Sequence, residues 1–369
     1  MESETKPSAA AHPTQRGPRQ PGETLAGPSR WPHLFLHGGW RCGSTYIWSK
    51  FRGLPNAACF YEPFHEGLSR ATRKRIRRNT PVAWKSRHPI LERPYWDEYL
   101  PLLRKGIRRG VRGHRRDFAV GRYFPGAEGL APELSYLETL LGRAQGLGRQ
   151  AVLGFSRSLA RAAPIKQVLG GYHAVILRDP RQQWLSGRSY RIEDGSVYFE
   201  LGHFLILALA AAGSPAALFA QRLGLPRPPP GSFRQQFDFL RAALGSWSDD
   251  LSYRAFLGVL LLSHATALPA ADLTIDMDKL SHSAVHRKAV HASILLNMGM
   301  DVDFRDCRMH VHDPSQVDLD FDAVEENVSW MLRSCGATPV ALEARERATD
   351  PGDSEVHAAA VVPRWSEIA

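Results

Sequence analysis

The sequence predicts a three-layer α/β fold in which helices flank a central parallel sheet. Short apolar segments at residues 33–37, 151–155 and 173–177 have the length and composition of buried strands. Each one is followed by a stretch that is compatible with a helix. This alternation is typical of parallel sheets, because a parallel connection has to cross back over the sheet before the next strand begins.

Further elements follow from the same patterns. Helices are expected over residues 44–51, 159–169, 181–190 and 251–268, and a last inner strand over 273–277. The apolar stretch 204–225 is interrupted by Gly213, Ser214 and Pro215, so it predicts a buried helical hairpin. It falls short of the roughly 20 unbroken apolar residues that cross a bilayer.

Composition changes at both ends of the chain. Residues 1–30 are rich in Pro, Gly, Ser and charge and are expected to form a disordered arm without the apolar core of a signal peptide. Residues 31–338 are expected to form the main domain, and residues 339–369 a flexible tail. The four cysteines form no CxxC pair and fit a reducing compartment, so a cytoplasmic location is expected.

The chain is basic, with 47 Lys and Arg against 37 Asp and Glu. A formal net charge of +10 predicts an anionic partner, such as a nucleotide, nucleic acid, acidic polysaccharide or membrane surface. Charge alone does not choose among these classes.

Residues 38–45, with the sequence GGWRCGST, connect the first strand to the first helix. Their glycine spacing is that of a loop whose backbone N–H groups cradle a phosphate. Ser44 occupies the position of the lysine in a Walker A loop, while Arg41 supplies a cation inside the loop. This arrangement suits a ligand with a phosphate and one transferable group, and a turn without any ligand remains the alternative.

A second segment follows the strand that ends at Leu177. Arg178 stands at the end of that strand, and Ser186 lies two turns into the next helix. An arginine fork and a hydroxyl in these positions can hold a second phosphate. The alternative is a surface ion pair between Arg178 and Asp179, with Ser186 solvated.

Together with Phe60-Tyr61-Glu62-Pro63-Phe64-His65, these segments resemble the sulfotransferases that use 3′-phosphoadenosine-5′-phosphosulfate (PAPS), particularly the carbohydrate and bacterial branches. The resemblance covers residues 33–65 and 150–190 and implies a P-loop-like fold. It implies a donor site formed by Arg41, Cys42, Gly43, Ser44, Thr45, Arg178 and Ser186. Glu62 and Arg41 are the implied catalytic residues, Glu62 as general base toward an acceptor hydroxyl, preferably of a carbohydrate.

Two basic segments, residues 70–78 and 104–116, predict either an electropositive rim for an anionic acceptor or a solvated face. The second has helical spacing, although its glycines weaken a helix. Lys85 and Arg157 are further candidate acceptor contacts. His310-Val311-His312-Asp313 has too few ligands for a metal site, and no metal is expected.

Three other functions stay open. A P-loop nucleotide kinase or NTPase would use the glycine loop, but the loop lacks the Walker lysine. A nucleic-acid-binding protein would use the arginine-rich segments and leave the loop and the Arg178–Ser186 pair unused. A sulfotransferase-like scaffold without activity would not need Glu62 or Arg41.

Overall fold

The computed structural model describes residues 32–78, 89–106 and 109–337 of the 369-residue chain. Five strands form a single sheet in the order β2-β3-β1-β4-β5, and every neighbouring pair is parallel. They are β1 His33–His37, β2 Ala57–Tyr61, β3 Gln150–Phe155, β4 Tyr172–Leu177 and β5 Leu273–Asp276. The predicted α/β class with a central parallel sheet flanked by helices is confirmed.

Helices occupy most of the remaining described chain. They are α1 Ser44–Arg52, α2 Arg73–Arg77, α3 Ala131–Gln145, α4 Ala162–Leu169, α5 Pro180–Asp194, α6 Tyr198–Ala208, α7 Pro215–Arg222, α8 Phe233–Leu244, α9 Asp249–Ala270, α10 Met277–His282, α11 Ala284–Met298 and α12 Phe321–Ser334. Short 3₁₀ turns lie at Glu66–Arg70, Asp97–Leu102, Arg116–Phe118, Leu159–Arg161 and Pro314–Gln316.

The central strand β1 shows why the sheet is parallel and covered on both faces. Leu34, Phe35 and Leu36 are all fully buried, although successive side chains of a strand point to opposite faces. One buried apolar cluster joins strand side chains to α1, α3 and α11. A second gathers α6, α7, α9 and α12.

Close packing of α1 on the sheet depends on a glycine in β3. A Cβ atom at Gly154 would lie 2.7 Å from Cδ1 of Trp48, which is closer than side chains tolerate. The fully buried Trp48 ring therefore sits directly over the β3 backbone. This contact fixes how the loop before α1 approaches the sheet.

Two histidines in buried strands form a hydrogen bond with each other. His37 Nε2 lies 2.9 Å from His173 Nδ1, and His173 Nε2 lies 2.9 Å from the Gly170 carbonyl. Because that carbonyl can only accept, His173 donates from Nε2 and its Nδ1 accepts from His37. His37 Nδ1 then accepts from the Ser158 hydroxyl at 2.7 Å. This series of hydrogen bonds connects β1, β4 and the segment after β3, and both imidazole rings in it are neutral.

Strand order determines where a ligand can enter. The chain leaves β1 toward β2 on one side of the sheet and leaves β4 toward β5 on the other. Since β1 and β4 are neighbours, a crevice opens between their carboxyl ends, which is where open parallel sheets bind ligands. The loop after β1 and the segment after β4 border this crevice.

Most predicted elements agree with the structure. The expected hairpin over 204–225 is formed by α6 and α7, and the expected last strand is β5. Strand β2 was missed, because its sequence AACFY has no alternation and no strong β-formers at its start.

The helical face expected for the arginines of 104–116 is wrong. The described part of this segment is irregular up to the 3₁₀ turn at Arg116–Phe118. Gly106, Gly110 and Gly113 have φ of 70°, 94° and 75°, which a right-handed helix excludes. A Cβ at Gly110 would lie 2.3 Å from the Ser69 carbonyl oxygen, so the backbones meet there.

Some predictions fall on residues outside the described ranges. These are the N-terminal arm, the C-terminal tail, Lys85 and Arg108. The domain boundaries at 31 and 338 therefore remain predictions.

Helix α9 is long and apolar enough to cross a membrane by length and composition, and 67% of its most apolar window is buried within the protein. It packs against α6, α7 and α12. Burial of this kind is typical of the core helix of a globular fold.

Candidate active site

The loop after β1 makes a tight turn before α1. The N–H of Gly38 donates to the Phe155 carbonyl at 3.1 Å, which holds the loop against the end of β3. Gly43 adopts φ 95° immediately before α1. A Cβ at Gly43 would meet Met277 at 2.8 Å, so a side chain there would be both strained and crowded. The N–H of Tyr46 donates to the Gly43 carbonyl at 3.0 Å, and Ser44 hydrogen-bonds to the Cys42 thiol, while the start of a helix is in general a favourable place for an anion.

The small side chains of the loop differ in what they can offer a ligand. The Cys42 thiol is buried, and burial raises its pKa to about 11, so it is neutral. The Thr45 hydroxyl lies 2.9 Å from the Tyr61 hydroxyl and connects α1 to β2. Ser44 is the first residue of the helix and is 7% exposed. Thr45 is thus engaged within the fold.

Arg178 and Ser186 lie against this loop. Arg178 Nη1 donates to the Arg41 carbonyl at 3.0 Å, and its Nη2 donates to the His310 carbonyl at 2.7 Å. Arg41 Nε donates to the Ser186 hydroxyl at 3.2 Å. Its guanidinium also lies 4.7 Å from the centre of the Tyr190 ring. Residues that are 137 and 145 positions apart in the chain therefore form one site.

The charge of Arg178 is poorly compensated. The side chain is 8% exposed, and its Nε is buried without a hydrogen-bond partner among the described residues. Burial lowers its pKa; the neighbouring Asp278 opposes this, whereas Arg41 lowers the pKa further. A buried guanidinium with neutral acceptors and a free N–H favours an incoming anion, so the residues present fit a phosphate.

Glu62 follows the last residue of β2 and faces a buried arginine. Arg157 Nη1 donates to the Glu62 carboxylate at 2.6 Å. Burial raises the pKa of Glu62, which is 4% exposed, while Arg157 and the Ser156 hydrogen bonds act against that rise. Burial thus makes the Glu62 carboxylate a stronger base, whereas the ion pair with Arg157 makes it a weaker one.

Arg157, a candidate acceptor contact from the sequence, lies in a buried network. It is 3% exposed and also contacts Glu66 at 3.4 Å and the Tyr198 hydroxyl at 2.7 Å. Tyr198 in turn donates to Glu66 at 2.8 Å. Although burial alone would raise the pKa of Glu66, the charges of His65 and Arg157 lower it to about 2. The Arg157 guanidinium therefore contacts both carboxylates, Glu62 and Glu66, as well as the Tyr198 hydroxyl.

Arg41 and Glu62 share an unusual backbone conformation. Their φ angles are 67° and 49°, and within the described residues no other non-glycine residue has positive φ. Such conformations cost about 1–3 kcal/mol each and persist where the surrounding structure enforces them, often at functional sites. Both residues singled out as catalytic from the sequence are held in this way.

The sequence did not single out Trp40, Glu66 or Tyr198 for the site. The Trp40 ring lies 5.1 Å from the Arg157 guanidinium and covers the network. Glu66 is four residues beyond Glu62, and this second carboxylate close to the first in the sequence could have indicated that it belongs to the site. Tyr198 lies too far along the chain to be found without the fold.

His310, Val311 and His312 do not form a strand. The His310 and His312 rings lie 4.5 Å apart in an irregular segment, and the His310 carbonyl serves Arg178. No group of three His, Cys, Asp or Glu side chains within the described ranges is arranged to hold a metal ion.

Fold and loop together define a parallel α/β protein with a glycine-rich loop at the switch point of its sheet. No protein-family model and no curated protein matches the chain. Among solved structures, it is similar to the crystal structure of a sulfotransferase from Alicyclobacillus acidocaldarius, with 14% sequence identity, a TM-score of 0.35 and coverage of 86% of this chain and 96% of that one.

Proposed function

We propose that this protein is a sulfotransferase that transfers the sulfuryl group of PAPS to an acceptor hydroxyl. One observation carries the proposal, namely that Arg178 and Ser186 both contact Arg41. The two segments that resemble donor-binding elements of sulfotransferases thereby border one crevice. Separate sites for them would have removed the basis of the proposal.

The donor would be held at both of its anionic ends. The N–H groups at the start of α1 and the Arg41 guanidinium would bind the 5′-phosphosulfate. Arg178 and Ser186 would bind the 3′-phosphate, with the buried Nε of Arg178 gaining the acceptor that it lacks among the described residues. Cys42 and Gly43 would contribute backbone groups only, because the thiol is neutral and buried.

The reaction asks the protein for alignment and charge stabilisation. The acceptor hydroxyl oxygen attacks sulfur while the bond from sulfur to the bridging phosphate oxygen breaks. A sulfate ester, adenosine-3′,5′-bisphosphate and a proton result. Arg41 would stabilise the charge that grows on the leaving oxygen, a contribution of the electrostatic type that dominates such transfers. Glu62 would take the proton, for which its raised pKa is suited.

A carbohydrate hydroxyl is the acceptor that we favour, because Tyr61-Glu62-Pro63 resembles the carbohydrate branch of the family. The four cysteines are free and buried, which supports a reducing compartment such as the cytoplasm. A nucleotide kinase would need a cation in place of Ser44 to reach a triphosphate.

Titration calorimetry with adenosine-3′,5′-bisphosphate tests the donor site, with ATP as the comparison ligand. We expect micromolar or tighter binding of the bisphosphate and at least tenfold weaker binding of ATP. Transfer of labelled sulfate from PAPS to a panel of glycosides then tests the reaction. Tighter binding of ATP would indicate the kinase alternative, and steeply salt-dependent binding of random DNA would indicate nucleic-acid binding.

A further inference from the structure

A second cleft, in the described part of the chain, has a volume of about 530 Å³. Its walls come from the 3₁₀ turn at Arg116–Phe118 and from the start of α8. Val120, Leu209 and Phe233 give it an apolar surface, while Arg116 and Ser232 provide polar groups. A cleft of this size and mixed lining is typical of a site for a small organic ligand.

Arg116 is the uncompensated charge of this cleft. Its guanidinium lies 5.5 Å from the centre of the Phe233 ring, and it has no carboxylate partner among the described residues. The adjacent Arg115 differs, because it forms an ion pair with Asp117 at 2.5 Å. Arg115 and Asp117 thus neutralise each other, which leaves the charge of Arg116 free for a ligand.

Two further features add positive potential. Burial and the nearby charge of Arg70 both lower the pKa of Arg116, which places two like charges close together. Arg70 itself has no ion-pair partner in the described part of the chain and is exposed. The first turn of α8 adds the partial positive charge of a helix N-terminus. An anion in the cleft would relieve this repulsion.

One wall of the cleft is connected to the network around Glu66 by the packing of two turns. Glu66 and Arg70 stand at the two ends of one 3₁₀ turn, which packs on the turn that carries Arg116. At a rise of about 2 Å per residue, that turn is about 8 Å long. The charge of Glu66 is also felt at Arg116. The cleft is thereby linked, through one packed turn, to a carboxylate that contacts Arg157.

We propose that this cleft binds the acceptor through an anionic group, a carboxylate or sulfate, that Arg116 pairs with while a ring of the acceptor packs on Phe233. The inference rests on the proposed sulfotransferase function and specifies the acceptor class as an acidic glycoside. The arrangement joins a charge-assisted hydrogen bond to an apolar contact, which selects for charge and shape together.

Calorimetry with 4-nitrophenyl β-D-glucuronide tests the cleft without the donor. The neutral 4-nitrophenyl β-D-glucoside is the matched ligand, since it differs by the carboxylate. The variant is Arg116→Gln, and Arg112→Gln is the control of equal charge change, because Arg112 is exposed and contacts the Pro101 carbonyl. We expect the glucuronide to bind at least about tenfold more tightly than the glucoside, because its carboxylate can form a charge-assisted hydrogen bond with Arg116. Arg116→Gln should abolish that preference and Arg112→Gln should retain it.

Equal affinity for the two glycosides in the native protein would overturn the proposal, as would full retention of the preference in Arg116→Gln. Binding of adenosine-3′,5′-bisphosphate to Arg116→Gln separates this inference from the proposed function. Bisphosphate binding that persists while the glucuronide preference is absent from the native protein rejects the cleft alone. A preference that depends on Arg116, without bisphosphate binding in any variant, retains the acidic-ligand site and rejects the sulfotransferase.

Discussion

Arg178 donates a hydrogen bond from Nη1 to the backbone carbonyl of Arg41 at 3.0 Å. This contact connects the loop after β1 to the end of β4 across the crevice between two neighbouring strands. It explains how Arg41 is held at φ 67°, because the carbonyl that follows its strained Cα is fixed by a buried guanidinium. The conformation of the loop therefore depends on the same arginine that we propose binds the donor.

Substitution of Arg178 should weaken donor binding. Arg178→Ala removes a charged contact worth about 1.5–3 kcal/mol, so we expect affinity for adenosine-3′,5′-bisphosphate to fall by about 10- to 100-fold. The affinity of Arg178→Lys should lie between those of the native protein and Arg178→Ala, because lysine keeps the charge but cannot bind both carbonyls. Calorimetry gives the affinities, and circular dichroism shows whether each variant folds.

The matched control is Arg181→Ala, three residues beyond Arg178 in the first turn of α5. Arg181 pairs with Glu325 at 2.9 Å, away from the crevice. Its loss should leave bisphosphate affinity within about twofold, since that pair stabilises structure alone. Equal losses in the two alanine variants would exclude Arg178 from the donor site.

Glu62→Gln should separate catalysis from binding. A glutamine keeps the shape of the side chain and cannot accept the acceptor proton, so we expect sulfuryl transfer to fall by about 100-fold or more. Bisphosphate affinity should stay within about twofold. The acidic limb of the pH–rate profile, which reports the base in its deprotonated form, should also disappear.

Loss of a buried ion-pair partner costs stability, so Glu62→Gln is compared with Glu62→Asp, which keeps the charge for Arg157. Glu128→Gln is the surface control, because Glu128 pairs with Arg122 and is 60% exposed. Parallel losses of transfer and bisphosphate affinity in Glu62→Gln would assign Glu62 a structural role.

The buried histidines should make stability fall in mild acid. Burial lowers the pKa of His203 to about 3, from 6.5 in the unfolded chain. The folded protein then binds fewer protons than the unfolded chain, so stability is complete above about pH 6.5 and is lost as pH falls below it. His203→Phe should remove one such proton, which reduces the slope of unfolding free energy by about 1.4 kcal/mol per pH unit between pH 5.5 and 4.5.

Urea denaturation of both proteins at several pH values in that interval measures the difference. Comparing the slopes cancels the opposite contribution of Glu62, Glu98 and Glu200, whose pKa values burial raises. Parallel curves for the native protein and the variant would show that His203 is protonated in the folded state.

A pair of glycine substitutions tests the packing of the sheet. Gly154→Ala would place a methyl group 2.7 Å from Trp48, so we expect a loss of about 1–3 kcal/mol from overpacking. Gly142→Ala lies in α3 with nothing within 4 Å of the added atom and should stabilise by about 0.5–1 kcal/mol. Urea midpoints measure both changes, and a neutral Gly154→Ala would contradict the contact between α1 and β3.

Sequence alone was sufficient for the class of fold, and it singled out the two segments that meet at Arg41 and Arg178. Glycine spacing, strand-like runs and the separation of Arg178 from Ser186 are local features, and each is encoded within about ten residues. Strand β2 escaped detection because its burial comes from neighbours that are distant in sequence. The helix predicted for residues 104–116 is wrong for a similar reason. The backbone at Gly110 approaches the Ser69 backbone closely, and this long-range contact overrides the helical spacing of the arginines.

Only the tertiary structure decided how these segments meet. Parallel strand order brings the carboxyl ends of β1, β3 and β4 to one edge, and with them Arg41, Arg157 and Arg178. It also showed that Arg157 is buried between Glu62 and Glu66 while Arg116 keeps its charge free beside a cleft. Residue types determine which chemistry is available, whereas burial and pairing depend on long-range contacts and determine which charged groups remain available to a ligand.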